Sequence, residues 1–279
     1  MASTLITVPQ LVAHLGDPNW LIFDARHDLA DPSWGLRVYE ETHIPRALFV
    51  SLDNDLSAPS NGTNGRHPLP PPAQCAERLA RLGVMHGKQI VVYDQGAGMF
   101  AARLWWMLRW LGLDCCAVLD GGWKQWQAMG SPISAAKETP QPTHFVPQPK
   151  DITVDADVVL ANLSLQTMTL IDARAASRFR GENETLDPVG GHIPGALNRP
   201  FTENLNDDGT FKSASQLRAE FAALLKEVPA SQVVHTCGSG VTACHNILAM
   251  EIADFPGSRL YPGSWSEWCS DPARPIACG

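Results

Sequence analysis

The stretch Val233-Val234-His235-Thr236-Cys237-Gly238-Ser239-Gly240-Val241-Thr242-Ala243 decides how the chain is read. Val233 and Val234 end a short apolar run, small and β-branched residues follow the cysteine, and a helix-like apolar pattern opens near Ala243 and runs to Ala249. The order is strand, tight loop, helix, with Cys237 as the first residue of the loop. Such a loop turns backbone N–H groups inward at the positive end of a helix dipole, so it favours an anion. A thiolate is such an anion, which makes Cys237 the candidate nucleophile.

Outside this stretch the chain repeats itself. Leu21-Ile22-Phe23-Asp24-Ala25-Arg26 returns as Leu170-Ile171-Asp172-Ala173-Arg174, and His43-Ile44-Pro45-Arg46-Ala47 returns as His192-Ile193-Pro194-Gly195-Ala196. Val91-Val92-Tyr93-Asp94-Gln95-Gly96-Ala97-Gly98 matches Val233 to Gly240, and Trp123 and Trp126 match Trp265 and Trp268. Blocks recurring in one order mark a duplicated domain. Each copy reads as a Thr-capped helix (Thr7, Thr153), a short strand ending in Asp-Ala-Arg, the His-Ile-Pro turn, a helix, an apolar strand, the Gly-rich loop and a further helix. Strands alternating with helices imply an α/β fold with a parallel sheet and helices on both faces. Residues 131–151 carry five prolines and no periodicity, which places a linker at 133–150 between domains 1–132 and 151–279.

Blocks shared by both copies read as architecture. Asp24 with Arg26 and Asp172 with Arg174 are expected as buried structural pairs, His43 and His192 as turn residues bonded to backbone, and the four tryptophans as core. In this alignment Cys237 falls opposite Gln95, so only the second copy carries a nucleophile.

Composition narrows the function classes. The 279 residues are 44% hydrophobic and 18% charged, with a formal net charge of −8, which suits a globular protein and argues against a nucleic-acid partner. No apolar run is long enough to span a bilayer, and the N-terminus has neither a basic leader nor a long apolar core, so no signal peptide is read. The seven cysteines show no C-x-x-C spacing and no zinc pattern; free thiols in a reducing cytoplasm are expected.

The loop admits competing readings. Gly238-Ser239-Gly240-Val241-Thr242-Ala243 fits G-x-G-x-x-A, but a dinucleotide fold opens on that motif, whereas here it comes late in the copy, and Arg259 stands near where an acid is wanted. A C-x5-R phosphatase loop needs an arginine where Ala243 stands. A persulfide-forming sulfurtransferase fits the tight cradle from Cys237 to Thr242, and a buried structural cysteine is the bland alternative.

With its DAR and HIPGA blocks, CGSGVTAC loop and closing YPGSWSEW at 261–268, the whole chain resembles the two-domain rhodanese-type sulfurtransferases, most closely the 3-mercaptopyruvate type. Thiosulfate-preferring relatives typically carry basic residues after the cysteine, where this chain has Gly238 and Ser239. The resemblance implies two tandem rhodanese-like domains, the first inactive and the second catalytic. It implies Cys237 as sulfur carrier, loop contacts from Gly238, Gly240, Val241 and Thr242, and Ser239 as a hydroxyl touching the donor. Arg178 would bind the donor's carboxylate, and Asp53 and His67 would work with Ser239. The family often has a second arginine beyond the first; Asp187 stands there, with Arg180 and Arg199 as sequence candidates to replace it. The implied reaction moves a sulfane sulfur from a small anionic donor, through a persulfide, to thioredoxin, a low-molecular-weight thiol or cyanide, with no metal or organic cofactor. Thiosulfate as donor and a non-catalytic persulfide carrier stay open as alternatives.

Overall fold

The structure is a computed structural model describing residues 2–279. Two compact units make it up. One holds the chain up to Ala58, Pro70–Asp151 and Asp207–Phe211; the other holds Pro59–Leu69, Ile152–Asn206 and Lys212–Gly279.

The first unit runs β1 (Leu5–Ile6), α1 (Val8–Val12), β2 (Trp20–Asp24), α2 (Trp34–Glu41), β3 (Ala47–Phe49), α3 (Pro72–Arg81), β4 (Gln89–Tyr93), α4 (Ala101–Trp110), β5 (Cys116–Leu119) and α5 (Gly122–Ala128). Its five strands are parallel, in the order β1-β5-β4-β2-β3. The central strand β4 is buried at every position, as expected of a parallel sheet covered on both faces. Val91 and Tyr93 pack with Leu11 of α1 and with Trp123 and Trp126 of α5. Thr7 starts α1 through a capping box with Gln10, and Pro9 sits in the first turn, where its missing N–H costs nothing.

The second unit runs α6 (Ala156–Leu165), β6 (Thr169–Asp172), α7 (Ala176–Phe179), β7 (Leu197–Asn198), α8 (Ala214–Leu225), β8 (Val233–Thr236), α9 (Thr242–Ile252), β9 (Arg259–Leu260) and α10 (Ser264–Trp268). Its four strands are again parallel, in the order β7-β6-β8-β9. Val234 and Tyr261 pack with Trp265 and Trp268, repeating the aromatic cluster of the first unit. Truncating such a tryptophan costs about 3–5 kcal/mol. The helix start differs from the sequence expectation: Asp155, not Thr153, caps α6 by accepting from Val158 N at 2.9 Å. Thr153 is instead bridged to Leu260 at the sheet edge.

The Asp-Ala-Arg blocks are architectural. Asp24 and Arg26 form a buried pair at 2.7 Å, as do Asp172 and Arg174. The Arg26 guanidinium lies 4.6 Å above the Trp123 ring, and that of Arg174 lies 4.7 Å above Trp265. Arg26 donates on to Thr42 O and Arg174 to Gly191 O, tying each strand end to the turn that follows. His43 and His192 bond the backbone oxygens of Tyr39 and Phe179 at 2.7 and 2.8 Å.

The proline-rich segment is a strap laid on the first unit. Thr143, Gln148 and Lys150 donate their N–H groups to Ala80, Leu111 and Trp110, and Phe145 is buried. The carbonyls it meets are at or beside the C-terminal ends of α3 and α4, which a helix cannot satisfy internally. Residues 59–69 group with the second unit, where Arg66 N donates to Ser266 Oγ at 3.0 Å and Ser270 Oγ to Thr63 O at 3.3 Å.

Candidate active site

Cys237 directly follows β8 and is buried. Its N–H donates to Ser264 Oγ at 3.1 Å, its carbonyl accepts from Trp265 N at 2.9 Å, and the next carbonyl, of Gly238, accepts from Ser266 N at 2.9 Å. The closing block 261–268 is thus the scaffold that fixes the loop. Gly240 has φ +76°, and a Cβ there would lie 2.3 Å from Pro262 O, so only glycine fits. Val241 holds the N-cap position of α9 and Thr242 is the first helical residue, which sets the loop at the N-terminus of an eleven-residue helix.

The sheet register corrects the alignment of the two copies. Asp24 pairs with Tyr93 and Asp172 with Thr236, so the residue after each strand is Asp94 in the first unit and Cys237 in the second. Trp123 N donates to Asp94 O as Trp265 N donates to Cys237 O. The counterpart of Cys237 is therefore Asp94 and not Gln95. The matching Val-Val pairs mislead because the segment from this position to the anchoring tryptophan, Asp94 to Trp123 against Cys237 to Trp265, is one residue longer in the first copy. The Asp94 carboxylate accepts from the N–H groups of Gly96, Gly98, Phe100 and Ala101 at 2.9–3.2 Å. Burial pushes this carboxyl above the usual range, against the pull of those four donors. In the first unit the strand–loop–helix turn is filled by a carboxyl group of its own; in the second the same place carries a sulfur.

Ser239, buried, meets His67: Nδ1 of His67 lies 2.7 Å from Ser239 Oγ. Asp53 belongs to the first unit, in the turn after β3, where its charge opposes the burial that lowers the pKa of His27. Arg178 sits in α7. Its Nε and Nη2 hold Glu184 at 3.0 and 2.8 Å, and Nη2 also reaches Asp187 at 3.1 Å. Burial would raise the Glu184 carboxyl, but the Arg178 hydrogen bond and the N–H groups of Leu186 and Asp187 outweigh it and hold it below the usual range.

Neither sequence candidate for the second arginine is here. Arg180 is exposed and pairs with Glu182; Arg199 is buried and spends its donors on Asn204 and Glu220. The residue that sequence reading missed is Arg66. Its Nη1 pairs with Asp187, and its Nη2 would lie 2.8 Å from a Cβ on Gly238. The available signal was its place beside His67 in Gly65-Arg66-His67-Pro68; its partner is 121 residues away.

Among the described residues no group of three or more His, Cys, Asp or Glu could hold a metal ion, and no helix is long and apolar enough to cross a membrane.

A duplicated parallel α/β unit with a cysteine on one of its two strand–loop–helix turns defines the class. The chain belongs to the rhodanese-like domain family, whose profile matches residues 7–129 and again 155–271. A Pseudomonas aeruginosa protein named "Probable 3-mercaptopyruvate sulfurtransferase" is 49% identical, covering 100% of this chain and 99% of that protein. The rat thiosulfate sulfurtransferase is 34% identical over 90% of this chain and 85% of its own length. The 3-mercaptopyruvate sulfurtransferase of Leishmania major superposes with a TM-score of 0.87 at 29% identity, covering 98% of this chain and 76% of that one.

Proposed function

We propose that the protein is a sulfurtransferase that moves a sulfane sulfur from 3-mercaptopyruvate, through a persulfide on Cys237, to a thiol such as thioredoxin or a low-molecular-weight thiol, or to cyanide. The observation that carries this reading is the pairing of Cys237, at the mouth of an anion-favouring turn, with the Ser239–His67 hydrogen bond two residues along the same loop. Gly238 and Ser239 leave no cation in the loop itself, which favours a mercapto acid over an inorganic dianion.

In this mechanism the Cys237 thiolate attacks the donor's sulfur. An S–S bond forms, the C–S bond breaks, and its electron pair leaves on carbon as the enolate of pyruvate. The S–H proton carried in by the donor passes to that carbon, with Ser239 and His67 as the relay, giving pyruvate and a Cys237 persulfide. Loop N–H groups and the helix dipole favour the anionic outer sulfur. An acceptor thiolate then attacks that sulfur, leaves as a persulfide and returns Cys237 as thiolate. The resemblance adds Asp53 to the relay. A fall in kcat for Asp53→Asn comparable with that of His67→Gln supports it, and an unchanged kcat removes it. The seven free cysteines suit a reducing compartment, which supports a cytoplasmic location.

The test is intact-mass measurement after incubation with 3-mercaptopyruvate and, separately, thiosulfate. A gain of one sulfur from 3-mercaptopyruvate, absent in Cys237→Ala, is the expected result. Uptake from thiosulfate alone would make the protein a thiosulfate sulfurtransferase. Uptake from a partner persulfide without turnover of either small donor would make it a carrier. No uptake from any donor would sink the reading.

A further inference from the structure

Two guanidinium groups converge on one glycine. A Cβ on Gly238 would lie 2.8 Å from Arg66 Nη2 and 3.7 and 3.8 Å from Nη1 and Nη2 of Arg178. Each cation is held from behind by an acid. Arg66 uses Nη1 for Asp187, while Arg178 uses Nε and Nη2 for Glu184 and Nη2 for Asp187. The acids are the buried partners: the side chains of Asp187 and Glu184 are 2% and 5% exposed, those of Arg66 and Arg178 30% and 20%. An approaching ligand therefore meets the cations.

We propose that Arg66 is a second donor-binding cation, acting with Arg178 on the carboxylate of the donor, and that Asp187 is the positioning residue that aims it at Gly238. This rests on the proposed function and deepens it, since it names the chemical group recognised beside the reacting sulfur. Two planar forks, each with its rear edge occupied, leave N–H groups for a carboxylate between them, the geometry in which guanidinium recognition is strongest. The two acids balance the two cations while the site is empty of donor, so the arginines are kept in place without a ligand. Arg66 is also fixed through its main chain, by the hydrogen bond from its N–H to Ser266 Oγ. Its neighbour His67 reaches Ser239, so one short stretch supplies both a cation for the carboxylate and a group for the proton.

The experiment is calorimetric titration of the full-length protein with pyruvate, the carboxylate product, and with its neutral amide. Arg66→Gln should weaken pyruvate binding about tenfold, the size expected when a charged hydrogen bond is lost, while amide binding stays unchanged. Arg66→Lys, which keeps the charge and loses the fork, should fall between. Asp187→Asn should raise the KM for 3-mercaptopyruvate several-fold with kcat within about twofold, as a residue acting on binding alone does. Pyruvate bound by Arg66→Gln as tightly as by the wild type, or pyruvate and amide weakened equally, would overturn the proposal. Because pyruvate binding needs no sulfur transfer, a wild type that binds pyruvate through Arg66 yet takes no sulfur from 3-mercaptopyruvate would keep this assignment and refute the reaction.

Discussion

Asp94 and Cys237 occupy the same position in two copies of one sheet, each directly after the strand paired to the Asp-Ala-Arg strand, and each with its carbonyl bonded to the N–H of a buried tryptophan. One carries a carboxyl group that four backbone N–H groups hold; the other carries a thiol at the mouth of the matching turn. Removing each side chain should have opposite consequences. Asp94→Ala leaves four backbone donors, three of them buried, without an acceptor and should cost on the order of 3 kcal/mol. Cys237→Ala deletes one sulfur atom and should cost less than about 1 kcal/mol while abolishing sulfur transfer. Urea denaturation and donor turnover of the two variants check this, and equal stability losses would refute the assignment of roles.

The His67–Ser239 pair should behave as a unit. Ser239→Ala and His67→Gln should each lower kcat with 3-mercaptopyruvate by about 100-fold, the usual size for a lost proton-transfer group. The double variant should be little worse than either single one, because the second change removes a partner already idle. Additive losses would place the two residues in separate steps.

Two glycines of the loop should fail differently. Gly238→Ala meets the Arg66 guanidinium, a side-chain end and not backbone, so it should cost little thermal stability while pushing that cation aside and raising the KM for the donor. Gly240→Ala requires a left-handed backbone and meets the Pro262 carbonyl at 2.3 Å, so it should lower stability by at least about 1 kcal/mol. Melting curves alongside KM values separate the two.

His235 sets part of the acid limit of stability. It lies in β8, fully buried, with Nε2 3.1 Å from the Met250 sulfur and Nδ1 without a partner, and burial, with the Arg199 charge, lowers its pKa to about 3. A lowered folded-state pKa means that the unfolded chain binds the proton first, so stability is lost as pH falls below about 6.5 and continues to fall towards about 3. Between pH 7.5 and 5 the wild type should lose about 2 kcal/mol more than His235→Leu. Urea midpoints at the two pH values measure the difference; parallel losses would show that His235 does not titrate in this window.

Much of the fold was legible from local pattern. The Asp-Ala-Arg and His-Ile-Pro blocks, the Thr7 cap and the strand–loop–helix turn at Cys237 depend on neighbours a few residues apart, and the structure has them where the sequence puts them. The cap of α6 shifted to Asp155 because Thr153 was drawn to the edge of the sheet, a contact with a strand far along the chain. The proline-rich segment lacked periodicity because its order comes from carbonyls at helix ends, not from its own residues.

The sequence by itself determined a duplicated parallel α/β chain with one cysteine-bearing turn, since repeat, periodicity and turn chemistry are properties of contiguous residues. Tertiary structure alone decided what surrounds that turn. Register, which slides by a residue when a neighbouring loop lengthens, put Asp94 rather than Gln95 in the place of Cys237. Folding over 172 residues brought His67 to Ser239, and over 121 brought Arg66 to Asp187. Side-chain encounters at that separation leave no periodic trace, because charge pairing and hydrogen bonding act on distance in space and not on position along the chain.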